Sequence, residues 1–149
     1  MAERVIETTR IVSSNKKRVW NLWTTEEGIG KFFCPDNKIE LKIGGAFELY
    51  FLNDNPEGTK GSEGCKILSY IPYEMLSFSW NAPPQFPNVR GQHTWCVIRF
   101  EEVDNGLMGI DFCHLGWGEG EEWDEVYAYF NKTWDQVFDN FEKAVEGKK

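Results

Sequence analysis

The chain has no surplus of positive charge. Of its 149 residues, 16 are Lys or Arg and 24 are Asp or Glu, which gives a net charge of −8. A protein that grips nucleic acid or an anionic membrane by charge needs the opposite balance, so neither is an expected partner. The acids are scattered, and no acidic tail is implied. No apolar run reaches the length of a membrane span. Met1 to Thr9 carries Glu3, Arg4 and Glu7 and lacks the apolar centre of a secretion signal. Cysteine is limited to Cys34, Cys65, Cys96 and Cys113, with no C-x-x-C spacing. Without a secretion signal these are expected to be reduced thiols in a cytoplasmic protein. Neither G-x-x-x-x-G-K nor G-x-G-x-x-G occurs, so Gly44-Gly45 and Gly116 to Gly120 do not read as phosphate loops. No cofactor and no metal are expected.

What is present is aromatic. Phe, Trp and Tyr make up 15% of a chain that is 41% hydrophobic and long enough for one domain with a real core. The rings concentrate in the last long segment, Trp123 to Val145. There Trp123, Tyr127, Phe130, Trp134, Val137, Phe138, Phe141 and Val145 recur at steps of three and four, one stripe of an α-helix. Asp124, Glu125, Lys132, Asp135, Asp139, Asn140, Glu142 and Lys143 fill the wet face. Rings of this size need a broad apolar surface, and a sheet offers more of it than one partner helix.

The rest of the chain supplies that sheet. Val5, Ile6, Ile11 and Val12 mark a strand over Glu3 to Val12, and Ser13, Ser14 and Asn15 are N-cap candidates for a short helix with Val19, Trp20, Leu22 and Trp23. Thr24 and Glu27 have capping-box spacing for a second helix through Ile29, Phe32 and Phe33, which Cys34-Pro35-Asp36 ends. Strands follow over Lys38 to Ile43, then Phe47 to Phe51 after the Gly44-Gly45 bend. Asn53 to Gly64 reads as a polar loop. Cys65 to Ile71 and Met75 to Trp80 are strands around a Pro72-Tyr73-Glu74 turn. Asn81 to Pro87, with three prolines, is expected to be a stiff, exposed loop.

A hairpin over Gln92 to Leu115 can be registered in advance. Asp104-Asn105-Gly106 fits a three-residue turn with glycine in the left-handed position. Val103 then faces Leu107, and counting outward pairs Phe100 with Ile110, Ile98 with Phe112 and Cys96 with His114 on one face. Arg99 opposite Asp111, Val97 opposite Cys113 and Trp95 opposite Leu115 share the other. A slip of one residue spoils both faces. Arg99 and Asp111 are expected to form a cross-strand ion pair. Strands grouped between terminal helices argue for an α+β fold with an antiparallel sheet.

Several stretches carry a family resemblance: Arg18 to Thr24, Ile43 to Phe47, Glu63-Gly64, Pro72 to Trp80 and His114 to Gly118. In this order, over about Val5 to Val145, the chain resembles the activators of heat-shock protein 90 ATPase homologues. That family lies in the START-like (SRPBCC) superfamily, with polyketide cyclases, lipid-transfer domains and the birch-pollen allergen. The resemblance implies a single helix-grip domain: about seven antiparallel strands curved around the C-terminal helix, with two short helices after the first strand. It implies a small hydrophobic or amphipathic molecule held between sheet and helix. The eukaryotic co-chaperone's separate N-terminal domain, with its Asn-Trp-His-Trp motif, has no counterpart here, so the stand-alone bacterial type is implied. A chaperone is a candidate partner through the resemblance alone, and monomer and homodimer stay open.

The candidate ligand-binding residues are Phe47, Leu49, Trp80, His114, Trp117, Trp123, Tyr127 and Phe130, expected to converge under the first turns of the long helix. Plain core packing explains rings equally well, and the resemblance tips the reading toward a pocket. His114 points inward beside Cys96. It reads either as a proton carrier or hydrogen-bonding group at the pocket mouth, or as a core histidine satisfied by the backbone, and the latter is favoured. Cys96 reads as a small buried hydrophobe, and two ligands make no zinc site. His93 and the acids from Glu119 to Asp124 read as solvated surface. Non-enzymatic binding is therefore preferred. The alternatives are a cyclase- or hydrolase-like enzyme using His114 and a chaperone-interacting module.

Overall fold

A computed structural model describes residues 4–147. Its elements run β1 (Ile6–Ser13), α1 (Lys16–Thr24), α2 (Glu26–Phe32), β2 (Asn37–Ile39), β3 (Phe47–Leu49), β4 (Ile67–Ile71), β5 (Met75–Trp80), α3 (Pro87–Arg90), β6 (Thr94–Asp104), β7 (Leu107–Leu115) and α4 (Glu121–Glu146). Five strands form one antiparallel sheet in the order β1-β7-β6-β5-β4, and β2 and β3 form a two-stranded ribbon. The ribbon continues the sheet edge: the Phe47 amide bonds the Cys65 carbonyl and the Ile67 amide bonds the Gly45 carbonyl. The fold is α+β, as the strand grouping implies.

The β6–β7 hairpin carries the expected register, with Phe100 opposite Ile110, Ile98 opposite Phe112 and Cys96 opposite His114. One detail differs. Leu107 pairs with Asp104, and Val103 is bulged out and exposed. The inner face of the sheet is a field of alternate buried side chains, among them Leu76, Phe78, Cys96, Ile98, Met108 and Phe112. α4 lays its stripe on that field. Trp134 sits 4.5 Å and Phe138 5.1 Å, ring centre to ring centre, from Phe112. Val126 joins the stripe, while Tyr127 is only half-buried.

The helix ends are closed locally. Asn15 accepts the Arg18 amide at 2.9 Å. Thr25, not Thr24, caps α2 by accepting the Gly28 amide at 2.9 Å, because Thr24 is buried and donates to the Trp20 carbonyl instead. Gly120 precedes α4, which carries Glu121, Glu122 and Asp124 in its first turn. At its other end Arg18 donates to the Ala144 and Val145 carbonyls, which are orphaned there.

Four more expectations need correcting. The first strand begins at Ile6; its expected start at Glu3 lies outside the described residues. The strand expected over Lys38 to Ile43 stops at Ile39, since the Gly45 amide turns back to the Lys42 carbonyl and leaves Leu41 and Ile43 exposed. Asn81 and Ala82 are buried rather than exposed, and Pro87 opens α3. No ion pair joins Arg99 to Asp111 among the described residues. Asp111 accepts from the Thr9 hydroxyl at 3.1 Å, a partner on the neighbouring strand.

Candidate functional site

α4 divides its inner surface between two aromatic groups. Under its first turns, Trp117 stands 5.3 Å from Tyr127, 6.1 Å from Phe130 and 6.3 Å from Trp123. His114 lies 4.2 Å from the Trp117 ring. The hinge packs closely on this group: a Cβ on Gly118 would lie 2.6 Å from a Trp123 ring carbon. Farther along, Trp134 meets Trp80 and Phe33, each at 5.7 Å, and Phe47 stacks on Phe78 at 4.1 Å.

The open space belongs to the second group. A cavity of about 330 Å³ lies between the middle of α4, the end of α2 and two loops. Tyr129, Phe130, Thr133, Trp134, Val137 and Asn140 line it from α4, and Phe32 and Phe33 from α2. Phe51, Leu52 and Lys60 to Ser62 form one rim, and Trp80, Asn81, Pro83 to Gln85 and Arg90 the other. The volume is at the small end of ligand sites.

Of the eight candidate residues, Trp80 and Phe130 line this cavity and the other six do not. Phe47 and Leu49 are fully buried behind it, where Ser62 bonds both of their backbone segments. Trp117, Trp123 and Tyr127 are used in the closed group at the start of α4, and His114 lies beneath them. The lining residues outside that set include Phe32, Phe33, Phe51, Lys60 and Trp134. Trp134 was already on the helical stripe; a cavity one turn farther along was within reach of that pattern. Lys60 had no signal beyond its place between Gly58 and Gly61.

His114 is fully buried. Its Nδ1 accepts from the Trp134 indole at 3.0 Å, so Nε2 carries the proton and donates to the Thr94 hydroxyl at 2.6 Å. Both ring nitrogens are thus satisfied by side chains, where the sequence suggested a backbone group. Burial among apolar rings pushes its pKa down to about 3, so the ring is neutral. Cys96 opposite it is fully buried and its thiol is raised well above the usual range by the same loss of solvation. Cys65 is pushed up to about 12. All four cysteines are free thiols. Neither Cys96 nor His114 reaches the cavity, and among the described residues no cluster suited to a metal ion occurs.

The rim is built by two ionic groups. The Glu63 carboxylate accepts the amides of Gly58 at 2.6 Å, Gly61 at 2.7 Å and Lys60 at 3.0 Å. Burial alone would raise its pKa, but these amides outweigh it and hold the carboxyl below the usual range. Arg90 bonds the Ala82, Gly58 and Gly61 carbonyls and so ties the two loops together. Glu122 does similar work, accepting the Asn88 side chain and the Val89 amide of α3, each at 3.1 Å. It is a structural acceptor and not only part of a solvated helix start.

Comparison with known proteins agrees with this architecture. Protein MLL2253 from Mesorhizobium loti matches at 18% identity, with 98% of this chain and 99% of that chain covered and a TM-score of 0.77. The Aha1 dimer from Colwellia psychrerythraea matches at 19% identity, with 96% of each chain covered and a TM-score of 0.72. CalU16 from Micromonospora echinospora matches at 18%, covering 99% of this chain and 77% of that one, with a TM-score of 0.73. At these identities the likeness concerns the fold. No curated protein matches the sequence. Among the described residues no helix is long and apolar enough to cross a membrane. The family model described as Activator of Hsp90 ATPase homolog 1-like protein matches residues 13–146, and the chain belongs to that family.

Proposed function

We propose that this protein binds a small amphipathic molecule in the cavity between α4 and the loops beyond β3 and β5. The observation that carries the reading is the cavity itself. It has about 330 Å³ of space lined by Phe32, Phe33, Trp80, Phe130 and Trp134, at the small end of the range for ligand sites. A space of that size suits the apolar part of a guest of two or three rings. His114 is buried away from this space with both nitrogens engaged, so the geometry supports retention of a guest over chemistry on it.

The test is a thermal-shift screen of small aromatic and aliphatic amphiphiles, with native mass spectrometry of gently purified protein. Trp80 and Trp134 line the space and serve as fluorescence reporters. A second arm uses Thr133→Trp, which fills the cavity from a half-buried position on α4. Hits that bind this variant as tightly as the parent would place the site elsewhere. A screen with no shift from any class would remove the reading.

A further inference from the structure

The cavity wall departs from the charge of the chain. The protein carries 24 acidic residues against 16 basic ones, yet the wall holds Lys60 and Arg90 and neither Asp nor Glu. The two cations differ in what they have left to offer. Arg90 directs its Nη1 to the Ala82 carbonyl, its Nε to the Gly58 carbonyl and its Nη2 to Gly58, Gly61 and Glu63. Lys60 gives its backbone amide to Glu63, but among the described residues its ammonium has no ion-pair or hydrogen-bond partner. It is half-buried on the rim.

Three polar groups of the wall are also spent, while Gln85 and Asn140 keep side-chain amides without a donor bond among the described residues. Ser62 bonds the Leu49 amide and the Phe47 carbonyl, Asn81 donates to the Gly61 carbonyl, and Thr133 donates to the Tyr129 carbonyl. A guest with polar groups along its length would bury them without partners, at a cost in binding. A guest with one anionic end would meet the one unengaged cation at the rim. A phosphate, with close to two charges, asks for more positive charge than one ammonium supplies.

Resting on the ligand-binding reading above, we infer that the guest is an aromatic carboxylate: an apolar ring system seated among Phe33, Trp80, Phe130 and Trp134, with its single carboxylate at Lys60. The experiment compares three probes that share one ring system, naphthalene-2-carboxylate, 2-naphthylmethanol and 2-naphthylmethylammonium. Each is titrated calorimetrically into the full chain and into Lys60→Gln, at low and at high salt. The carboxylate is expected to bind about tenfold tighter than the alcohol, and the ammonium weakest. Lys60→Gln should bring the carboxylate to the level of the alcohol and leave the alcohol within about twofold, as expected for a rim residue outside the core. High salt should narrow the preference. Equal binding of carboxylate and alcohol, or a preference that survives Lys60→Gln, would overturn the inference and leave the cavity reading standing. No binding of any of the three would take both down.

Discussion

Replacing His114 with glutamine makes the buried histidine network measurable. The amide can still accept from Trp134 and donate to Thr94, but it cannot titrate. In the wild type the imidazole is neutral, with its pKa pushed down from 6.5 to about 3 by burial. The Trp134 indole N–H also points at Nδ1, so a proton there would set two donors face to face. An unfolded histidine takes up a proton near pH 6.5, while the folded one resists until about pH 3. The unfolded state therefore binds more protons throughout this window, and stability falls as the pH falls through it. At about 1.4 kcal/mol per pH unit, the loss between pH 7 and pH 4 comes to about 3 kcal/mol. The full gap between the two pKa values is worth nearly 5 kcal/mol, about half the stability of an ordinary domain.

Urea unfolding followed by tryptophan fluorescence, at half-unit steps from pH 7 to pH 4, gives both curves. Every other residue is common to wild type and variant, so subtracting the two curves isolates His114. The variant is expected to start about 1–2 kcal/mol less stable at pH 7, from imperfect hydrogen bonding, and to gain on the wild type as the pH drops. The difference should narrow, cross and reverse before pH 4. Parallel curves would refute the reasoning, because they would mean that folded and unfolded histidine titrate alike and that the ring is wet.

Arg10 stands on the inner face of β1 and reaches Glu142 at 2.7 Å and Asp139 at 2.8 Å on α4. Arg10→Met should cost about 1 kcal/mol in denaturant unfolding, and the difference should shrink at high salt. Gly28 lies where α2 crosses α1, and a Cβ there would sit 2.5 Å from Leu22 Cα and closer still to the Asn21 carbonyl oxygen. Both obstacles are backbone, so Gly28→Ala should destabilise by at least about 2 kcal/mol, read as a lowered thermal midpoint. Arg90→Lys keeps the charge but loses the fork that spans Ala82, Gly58 and Gly61. It should cost about 1–3 kcal/mol and speed amide exchange at Gly58 and Gly61, while Lys60→Gln should do neither.

Much of the fold was legible because its signals are periodic. The hairpin register follows from one turn and the rule that a slip turns every side chain over, and only Val103 at the turn escaped it. The α4 stripe is a count of threes and fours. Signals that depend on a distant partner were not legible. Nothing near Thr24 and Thr25 says which hydroxyl faces the core, and nothing near Glu122 announces α3 as its partner 33 residues away. Arg10 alternates into the inner face, where a charge looks out of place until the α4 carboxylates are known. The cavity was the hardest part, since aromatic residues look the same in a sequence whether they meet one another or face a space.

The position of that space has a physical cause. Under the first turns of α4 nothing holds the walls apart. The chain passes from β7 through Gly118, whose missing side chain lets Trp123 close in, and Trp117 packs against Tyr127 beside it. Around Trp134 the opposite wall is made of loops whose polar backbone is already committed. Glu63 gathers the amides of one loop, and Arg90 joins its carbonyls to Ala82 on the other. Moving those loops inward to cover the rings would break charge-assisted bonds to gain contact over a small area. At about 25 cal/mol for each Å² of apolar surface covered, roughly 100 Å² would be needed to offset the loss of one or two such bonds. The rim therefore resists collapse, and the space between these loops and α4 stays open.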